Sequence, residues 1–63
     1  MIKISHETPI RKLESISVGD QIVDSYDSSG SVVKIMKQVK EDFVEFKFML
    51  HNKQLIYIMS SSN

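Results

Sequence analysis

Two histidines are the side chains in this sequence best suited to binding a metal ion or moving a proton. His6 and His51 lie far apart in the chain, and neither has the H-x-x-x-H spacing by which one helix presents two histidines to a metal. Asp or Glu partners could then come only from the tertiary fold. The sequence therefore predicts no metal site, with His6 in a loop and His51 in an exposed turn.

Acidic side chains could supply an acid–base pair, and the candidates are Glu7, Asp20, Asp24 and Asp27. Asp20 and Asp27, however, occupy turn positions, where Asp is favoured because its side chain hydrogen-bonds to nearby backbone groups. The sequence has no cysteine and no motif of a nucleophile elbow or a phosphate loop. A chain of 63 residues also has little room for a ligand pocket of roughly 300–1,000 Å³. We therefore expect a protein without catalytic activity or cofactor.

The overall composition bears on partners and location. Eight basic and eight acidic residues cancel, whereas a protein that binds nucleic acid is usually basic. The absence of Ala and Trp and the excess of Lys over Arg are typical of a low-GC genome, which is compatible with an accessory protein of a phage or a low-GC bacterium. No apolar run reaches the roughly 20 residues of a membrane span, and no apolar core of a signal peptide is present. We expect a cytoplasmic protein that does not bind membranes.

The stretch from Phe43 to Met59 organises the predicted fold. Its first half alternates apolar and polar residues with the period of two expected of a half-buried strand. With Asn52 and Lys53 as a two-residue hairpin loop, three apolar pairs fall on one face of the hairpin. These pairs are Leu50 with Leu55, Phe48 with Tyr57, and Phe46 with Met59. The sequence thus predicts which side of the last strand faces the core.

The other predicted elements are short. They are strands at Ile2–Ile4, Gln21–Tyr26 and Ser31–Val39, and one helical turn at Pro9–Ile16 in which Ile10, Leu13 and Ile16 share a face. Thr8 before Pro9 is typical of a helix start, with Thr8 as the N-cap. A three-residue loop at Ser28–Gly30 would place Asp24 opposite Lys34 as a cross-strand charge pair. Residues 60–63 are predicted to be a disordered tail.

The segment from Ser31 to Asp42 has two interpretations. Its apolar spacing fits a helix as well as a strand. Its β-branched residues and the tight turn before it favour a strand. We therefore expect a strand, with Lys40 to Asp42 as the turn into the central hairpin. The alternative is an α+β fold with a helix near residues 31–42.

Five short strands with one short helical turn predict a small, mainly β domain over residues 1–59, either a five-stranded antiparallel barrel or a curled sheet. Within it, Gly19-Asp20-Gln21-Ile22-Val23 followed by Gly30-Ser31-Val32-Val33-Lys34-Ile35 resembles the glycine-aspartate strand and the G-x-V-x-x-I strand of KOW-type, SH3-like small barrels. The turn between the two strands is shorter and richer in serine than in that family. The resemblance implies an SH3-like barrel, a fold that binds RNA, DNA or protein segments without choosing among them.

The face of the hairpin opposite Leu50 and Leu55 is the predicted partner-binding surface. It would be more apolar than a chain of this size can cover on both sides of a sheet, unless the sheet curls until another segment covers this face. The edge of the last strand offers a second route to a partner, by strand addition or by formation of a homodimer. The residues predicted to bind a partner protein are Phe43, Met49, Ile56 and Ile58.

Lysines support an alternative of a different class, a small barrel that binds nucleic acid. Lys34, Lys37 and Lys40 would contact phosphates, and Tyr57 would be available to stack on a base. In a regular strand, however, Lys34 and Lys40 share one face and Lys37 points to the other. The sequence therefore favours a non-catalytic interaction or regulatory protein that binds another protein through a sheet face or edge.

Overall fold

The computed structural model describes residues 1–61, which form a mainly β fold with one short helix. The elements are β1 (Ile2–Lys3), α1 (Ile10–Glu14), β2 (Gln21–Val23), β3 (Ser29–Val39), β4 (Phe43–Leu50) and β5 (Leu55–Ser61). They form one sheet in the order β1-β2-β3-β4-β5. β1 and β2 are parallel, and every other neighbouring pair in the described chain is antiparallel. The predicted mainly β class is confirmed, as a mixed, curled sheet whose described strands do not close into a barrel.

The segment with two interpretations is a strand. β3 extends to Val39, and its β-branched residues lie in an antiparallel ladder with β4. Lys40 N–H donates a hydrogen bond to Phe43 O at 2.8 Å, which closes the turn around Glu41 and Asp42. The alternative of a helix near residues 31–42 is wrong.

α1 is a helix of five residues, and one side of it packs against the sheet. Leu13 and Ile16 are buried, and Ile10 packs at the margin of the core, as their spacing predicts. Thr8 does not cap the helix, because its Oγ1 accepts a hydrogen bond from Ser5 N–H at 2.8 Å and Pro9 occupies the N-cap position. No helix in residues 1–61 has the length and hydrophobicity of a membrane span.

The connection between β2 and β3 differs from the predicted hairpin. β2 ends at Val23, which pairs with Ser29, so that the loop spans residues 24–28. Gly30 pairs with Ile22 inside the ladder and is not a turn residue. A Cβ atom at Gly30 would lie 3.3 Å from His51 Nδ1, so glycine permits the close approach of the β4–β5 turn at this point.

Asp24 accounts for the shape of this loop. Its Oδ1 accepts hydrogen bonds from the N–H groups of Tyr26 and Ser28, each at 2.9 Å. Asp27 then takes the left-handed conformation, with a φ of 64°. Because the Asp24 carboxylate is engaged by its own loop, the predicted pairing of Asp24 with Lys34 does not form.

The β4–β5 hairpin is shifted by one residue from the predicted register. Phe48 pairs with Ile56 and not with Tyr57. Because side chains alternate across a strand, this shift turns the whole of β5 over. The buried residues of β5 are Ile56, Ile58 and Ser60, and the exposed ones include all three that were predicted to face the core, Leu55, Tyr57 and Met59.

A three-residue loop produces this register. Leu50 N–H donates to Gln54 O at 2.9 Å and Lys53 N–H donates to Leu50 O at 3.0 Å, which leaves His51 to Lys53 as the loop. Lys53 has a φ of 70°, the left-handed conformation that such loops need at their last position. Asn52 Oδ1 also accepts a hydrogen bond from Gln54 N–H at 3.1 Å. The predicted two-residue loop is therefore wrong.

The core lies on one side of β3, β4 and β5, where the α1 residues also pack. Phe46 and Phe48 form its centre, with nearly parallel rings whose centroids are 5.9 Å apart. Its buried apolar residues are Ile4, Leu13, Ile16, Ile22, Val32, Val44, Phe46, Phe48, Leu50, Ile56 and Ile58.

The segment from Ser5 to Thr8, here called the docked segment, contacts the far edge of the sheet. Met59 N–H donates to His6 Nδ1 at 3.1 Å, and Ser60 Oγ donates to Thr8 O at 3.0 Å. Because β1 and β5 are opposite edges of the sheet, these bonds show that the sheet curls. The prediction of a disordered tail is wrong for Ser60 and Ser61, because β5 continues to Ser61 and Ser60 is buried. Residues 62 and 63 lie outside the described part of the chain.

A matched pair of truncations tests the register of β5. Ile56→Ala should lower the free energy of unfolding by roughly 2–5 kcal/mol, because it removes buried methyl groups and leaves a cavity. Leu55→Ala should change it by less than about 0.5 kcal/mol, because Leu55 is 55% exposed. Urea unfolding followed by circular dichroism measures both values. If Leu55→Ala were the more damaging change, the observed register would be refuted.

Candidate functional site

The side of β3, β4 and β5 that points away from the core, here called the outer face, has no second layer against it within residues 1–61. The ladder arranges its central residues in three rows that cross the strands. These rows are Lys34–Met49–Leu55, Met36–Lys47–Tyr57 and Gln38–Glu45–Met59, with Phe43 beyond the last row.

Apolar side chains dominate the part of the outer face that belongs to β5. Leu55, Tyr57 and Met59 are 55%, 44% and 43% exposed. Met36 and Met49 are half-buried beside them. Grouped large apolar residues on a surface are typical of a contact region for another molecule, whereas single ones are common on any protein.

The predicted partner-binding residues lie on two different sides of the sheet. Phe43 and Met49 lie on the outer face and are half-buried. Ile56 and Ile58 are 1% and 2% exposed and belong to the core, so their assignment to an accessible surface is wrong. The one-residue shift of the hairpin is the physical reason, because it exchanges the two sides of β5. The residues of β5 that are exposed instead alternate with these two along the strand: Leu55, Tyr57 and Met59.

A polar pair stands at the centre of the outer face. The Tyr57 hydroxyl donates a hydrogen bond to Glu45 Oε2, and Lys47 Nζ lies 5.6 Å from the centroid of the Tyr57 ring. The hydrogen bond to Glu45 raises the pKa of Tyr57 above its usual value, with smaller contributions from burial and from the negative charge of Glu45. Glu45 is 8% exposed, although it lies on the solvent side of the sheet. The pair therefore fixes the Tyr57 ring in position on the outer face.

A shallow depression of about 260 Å³ lies beside this pair. Its lining mixes the aliphatic and polar parts of outer-face side chains with Lys37: Met36, Lys37, Gln38, Glu45 and Lys47. The depression is below the usual size of a small-molecule pocket. Its composition fits contact with a side chain of a partner better than enclosure of a free ligand.

The free edge of β5 is open over part of its length. Met59 N–H points away from β4, since it donates to His6, and backbone direction alternates along a strand. The N–H and C=O groups of Leu55 and Tyr57 therefore also point away from β4, and nothing in residues 1–61 hydrogen-bonds to them. The stretch Leu55–Tyr57 is here called the open edge. β5 has no charged residue, and so lacks the usual protection of an edge strand against pairing.

The structure does not bring the predicted nucleic-acid-binding residues together. Lys34 lies on the outer face, and Lys37 lies on the opposite side, where it pairs with Glu14 and its Nζ is 6.0 Å from the Phe46 ring centroid. Lys40 follows the end of β3. The sequence correctly predicted that Lys34 and Lys37 point to different faces. Tyr57 is on the outer face, with its hydroxyl already bound to Glu45.

Both histidines accept hydrogen bonds from backbone groups. His51 Nδ1 accepts from Ser31 N–H at 3.3 Å, and His51 N–H donates to Ser31 O at 2.9 Å, so the β4–β5 turn is held against β3. His6 Nδ1 holds the docked segment on β5. Asp20 Oδ2 accepts from Ser17 N–H at 2.9 Å, the local turn role that the sequence predicts. Residues 1–61 contain no group of three His, Asp or Glu side chains placed to hold a metal ion.

Comparisons with family models, curated proteins and solved structures give no match to this chain. The resemblance to KOW-type, SH3-like barrels therefore stays a prediction.

The hydrogen bond between Tyr57 and Glu45 has a measurable consequence. It favours the neutral phenol, which places the pKa of Tyr57 above its ordinary value of 10.0. Glu45→Ala removes both the acceptor and the negative charge, and should lower this pKa. Absorbance of tyrosinate against pH, measured in a Tyr26→Phe background, reports Tyr57 alone.

The sign of the effect on stability follows from the raised pKa. The stability contributed by the neutral pair is complete below the unfolded-state pKa and is lost as pH rises through the higher folded-state pKa. Unfolding curves at rising alkaline pH should therefore show a loss that Glu45→Ala reduces. Equal titration of Tyr57 with and without Glu45 would refute the bond.

Proposed function

We propose that this chain is a non-catalytic interaction protein that binds another protein through the outer face and the open edge of β5. The observation that carries this proposal is the exposed side of β5. Three large apolar side chains point to solvent there, from an edge strand without a charged residue: Leu55, Tyr57 and Met59.

The residue types on the outer face support a protein partner. Tyrosine and methionine are enriched in protein–protein interfaces, and a tyrosine held by a hydrogen bond loses little conformational freedom on binding. Tyr57 is held in this way by Glu45. Met36, Met49 and Met59 add flexible side chains that adapt to the shape of a partner.

The placement of the lysines favours a protein partner over nucleic acid. Phosphate binding needs several cations on one surface to be strong at physiological salt. Lys34 and Lys37 lie on opposite faces, and Lys37 is engaged by Glu14. Glu45 places a negative charge at the centre of the outer face, where Lys34 also lies. The composition further suggests an accessory protein of a phage or a low-GC bacterium that acts on a partner in the cytoplasm.

Surface variants with matched controls test the proposal. Leu55→Glu with Met59→Glu places two charges on the outer face, whereas Val39→Glu places one at a residue that is 69% exposed on the other side of the sheet. A protein captured from the lysate of the encoding organism by immobilised wild-type chain should be retained by Val39→Glu. We expect the double variant to retain it at least about tenfold less, as for loss of central interface contacts.

Two outcomes would contradict this proposal. One is equal retention of every captured protein by the double variant. The other is binding of labelled DNA or RNA at low salt that weakens log-linearly with added salt and is abolished by Lys34→Glu with Lys37→Glu. Fluorescence anisotropy measures the second, and unfolding curves of each variant establish that it is folded.

A further inference from the structure

We infer that the occupant of the open edge is a second copy of this chain, which pairs its own β5 antiparallel across a two-fold axis at Ile56. This inference rests on the proposed function, because it names the protein that meets the edge. A two-fold contact requires a surface that is complementary to itself. The open edge meets this requirement in its backbone, its side chains and its charges.

The backbone groups select one register. Leu55 and Tyr57 each present an outward N–H and C=O, while the N–H of Met59 is occupied by His6. Pairing Leu55 with Tyr57 of the second copy, and Tyr57 with its Leu55, joins all these open groups in four hydrogen bonds. A shift of the pairing by two residues in either direction would leave some of them unpaired or compete with His6.

The side chains are compatible with this register. On the outer face, Leu55 would lie beside Tyr57 of the second copy, an aliphatic–aromatic pair of the kind that stabilises antiparallel strands. Ile56 would lie opposite Ile56 of the second copy. Because β5 has no charged residue, no like charges meet within the paired strands.

The charges at the two ends of the open edge are opposite. Lys53 lies at one end, in the turn before β5, and Glu7 lies at the other, in the docked segment next to His6. Both residues are exposed. Antiparallel pairing brings Lys53 of each copy to Met59 of the other, where Glu7 follows in the docked segment. A parallel arrangement would instead place like charges together.

The two outer faces would point to the same side in such a dimer. β3, β4 and β5 of both copies would then form a six-stranded platform, with Met49 and Leu55 of one copy in a row with Tyr57 of the other. A standard stable interface buries about 800 Å² per partner, a large share of the 4332 Å² surface of this chain. Pairing of one short edge buries less, so we expect a dimer that dissociates on dilution.

Sedimentation equilibrium over a range of protein concentrations tests the pairing. Leu55→Pro removes an N–H that is not used by β4, and Leu55→Ala is the matched control that also truncates the side chain but keeps the N–H. We expect a reversible dimer of the wild-type chain and of Leu55→Ala. Leu55→Pro should raise the dissociation constant at least about tenfold while urea unfolding shows that it is folded.

Charge reversal tests the orientation. Lys53→Glu and Glu7→Lys should each weaken the dimer, and the double variant should restore it, because the opposite charges then meet again. A monomer at every concentration, a dimer that Leu55→Pro leaves intact, or a double variant that is no tighter than the single ones would each overturn the inference.

The capture experiment separates this inference from the proposed function. If the chain is a monomer and Leu55→Pro loses a captured protein, the edge binds a strand of a different protein, and the second copy is refuted while the proposed function stands. If the dimer forms as described but Leu55→Glu with Met59→Glu retains every captured protein, the proposed role of the outer face toward other proteins fails and the dimer remains.

Discussion

The three-residue turn from His51 to Lys53, which ends with Lys53 in the left-handed conformation, sets the hairpin register on which both the core and the surface of this protein depend. Such a conformation costs a residue other than glycine about 1–2 kcal/mol. The register that it permits buries Ile56 and Ile58, and burial of each such side chain contributes about 1.5–3 kcal/mol. Packing therefore outweighs the strain of the turn. The same choice leaves Leu55 and Tyr57 in solvent, so the apolar surface is a direct result of how the core is filled.

Residues 1–61 cover the sheet on one side only. A helix of five residues covers one side of the sheet, and residues 1–61 supply no second layer for the other. The outer face is kept compatible with water by polar contacts between neighbouring strands, the bond from Tyr57 to Glu45 and the stacking of Lys47 on the Tyr57 ring. These contacts leave the apolar residues of β5 exposed. A larger domain would cover such a face with its own helices.

The sequence predicted the elements better than their registers, for a physical reason. Alternation and β-branched residues identify strands, and the Pro9–Ile16 pattern identifies the helical turn. In β5, however, five apolar residues follow one another, and a run that is apolar on both sides carries no preference for the side that faces inward. Of the residues predicted to form the surface, Phe43 and Met49 therefore lie on the outer face, whereas Ile56 and Ile58 lie in the core. The role of Asp24 was missed because its bonds form within its own loop, not across strands.

The docked segment also constrains how this chain can fold. Its two hydrogen bonds to β5 join residues separated by 53 and 52 positions. The entropy of closing so long a loop must be lost before these contacts can form, and folds rich in such contacts fold slowly. While the chain is being synthesised, β4 is complete before β5 has appeared, and its hydrogen-bonding edge is then unpaired. Of the described strands, β5 is thus the last to be synthesised, and the docked segment can form its two hydrogen bonds only after β5 is present.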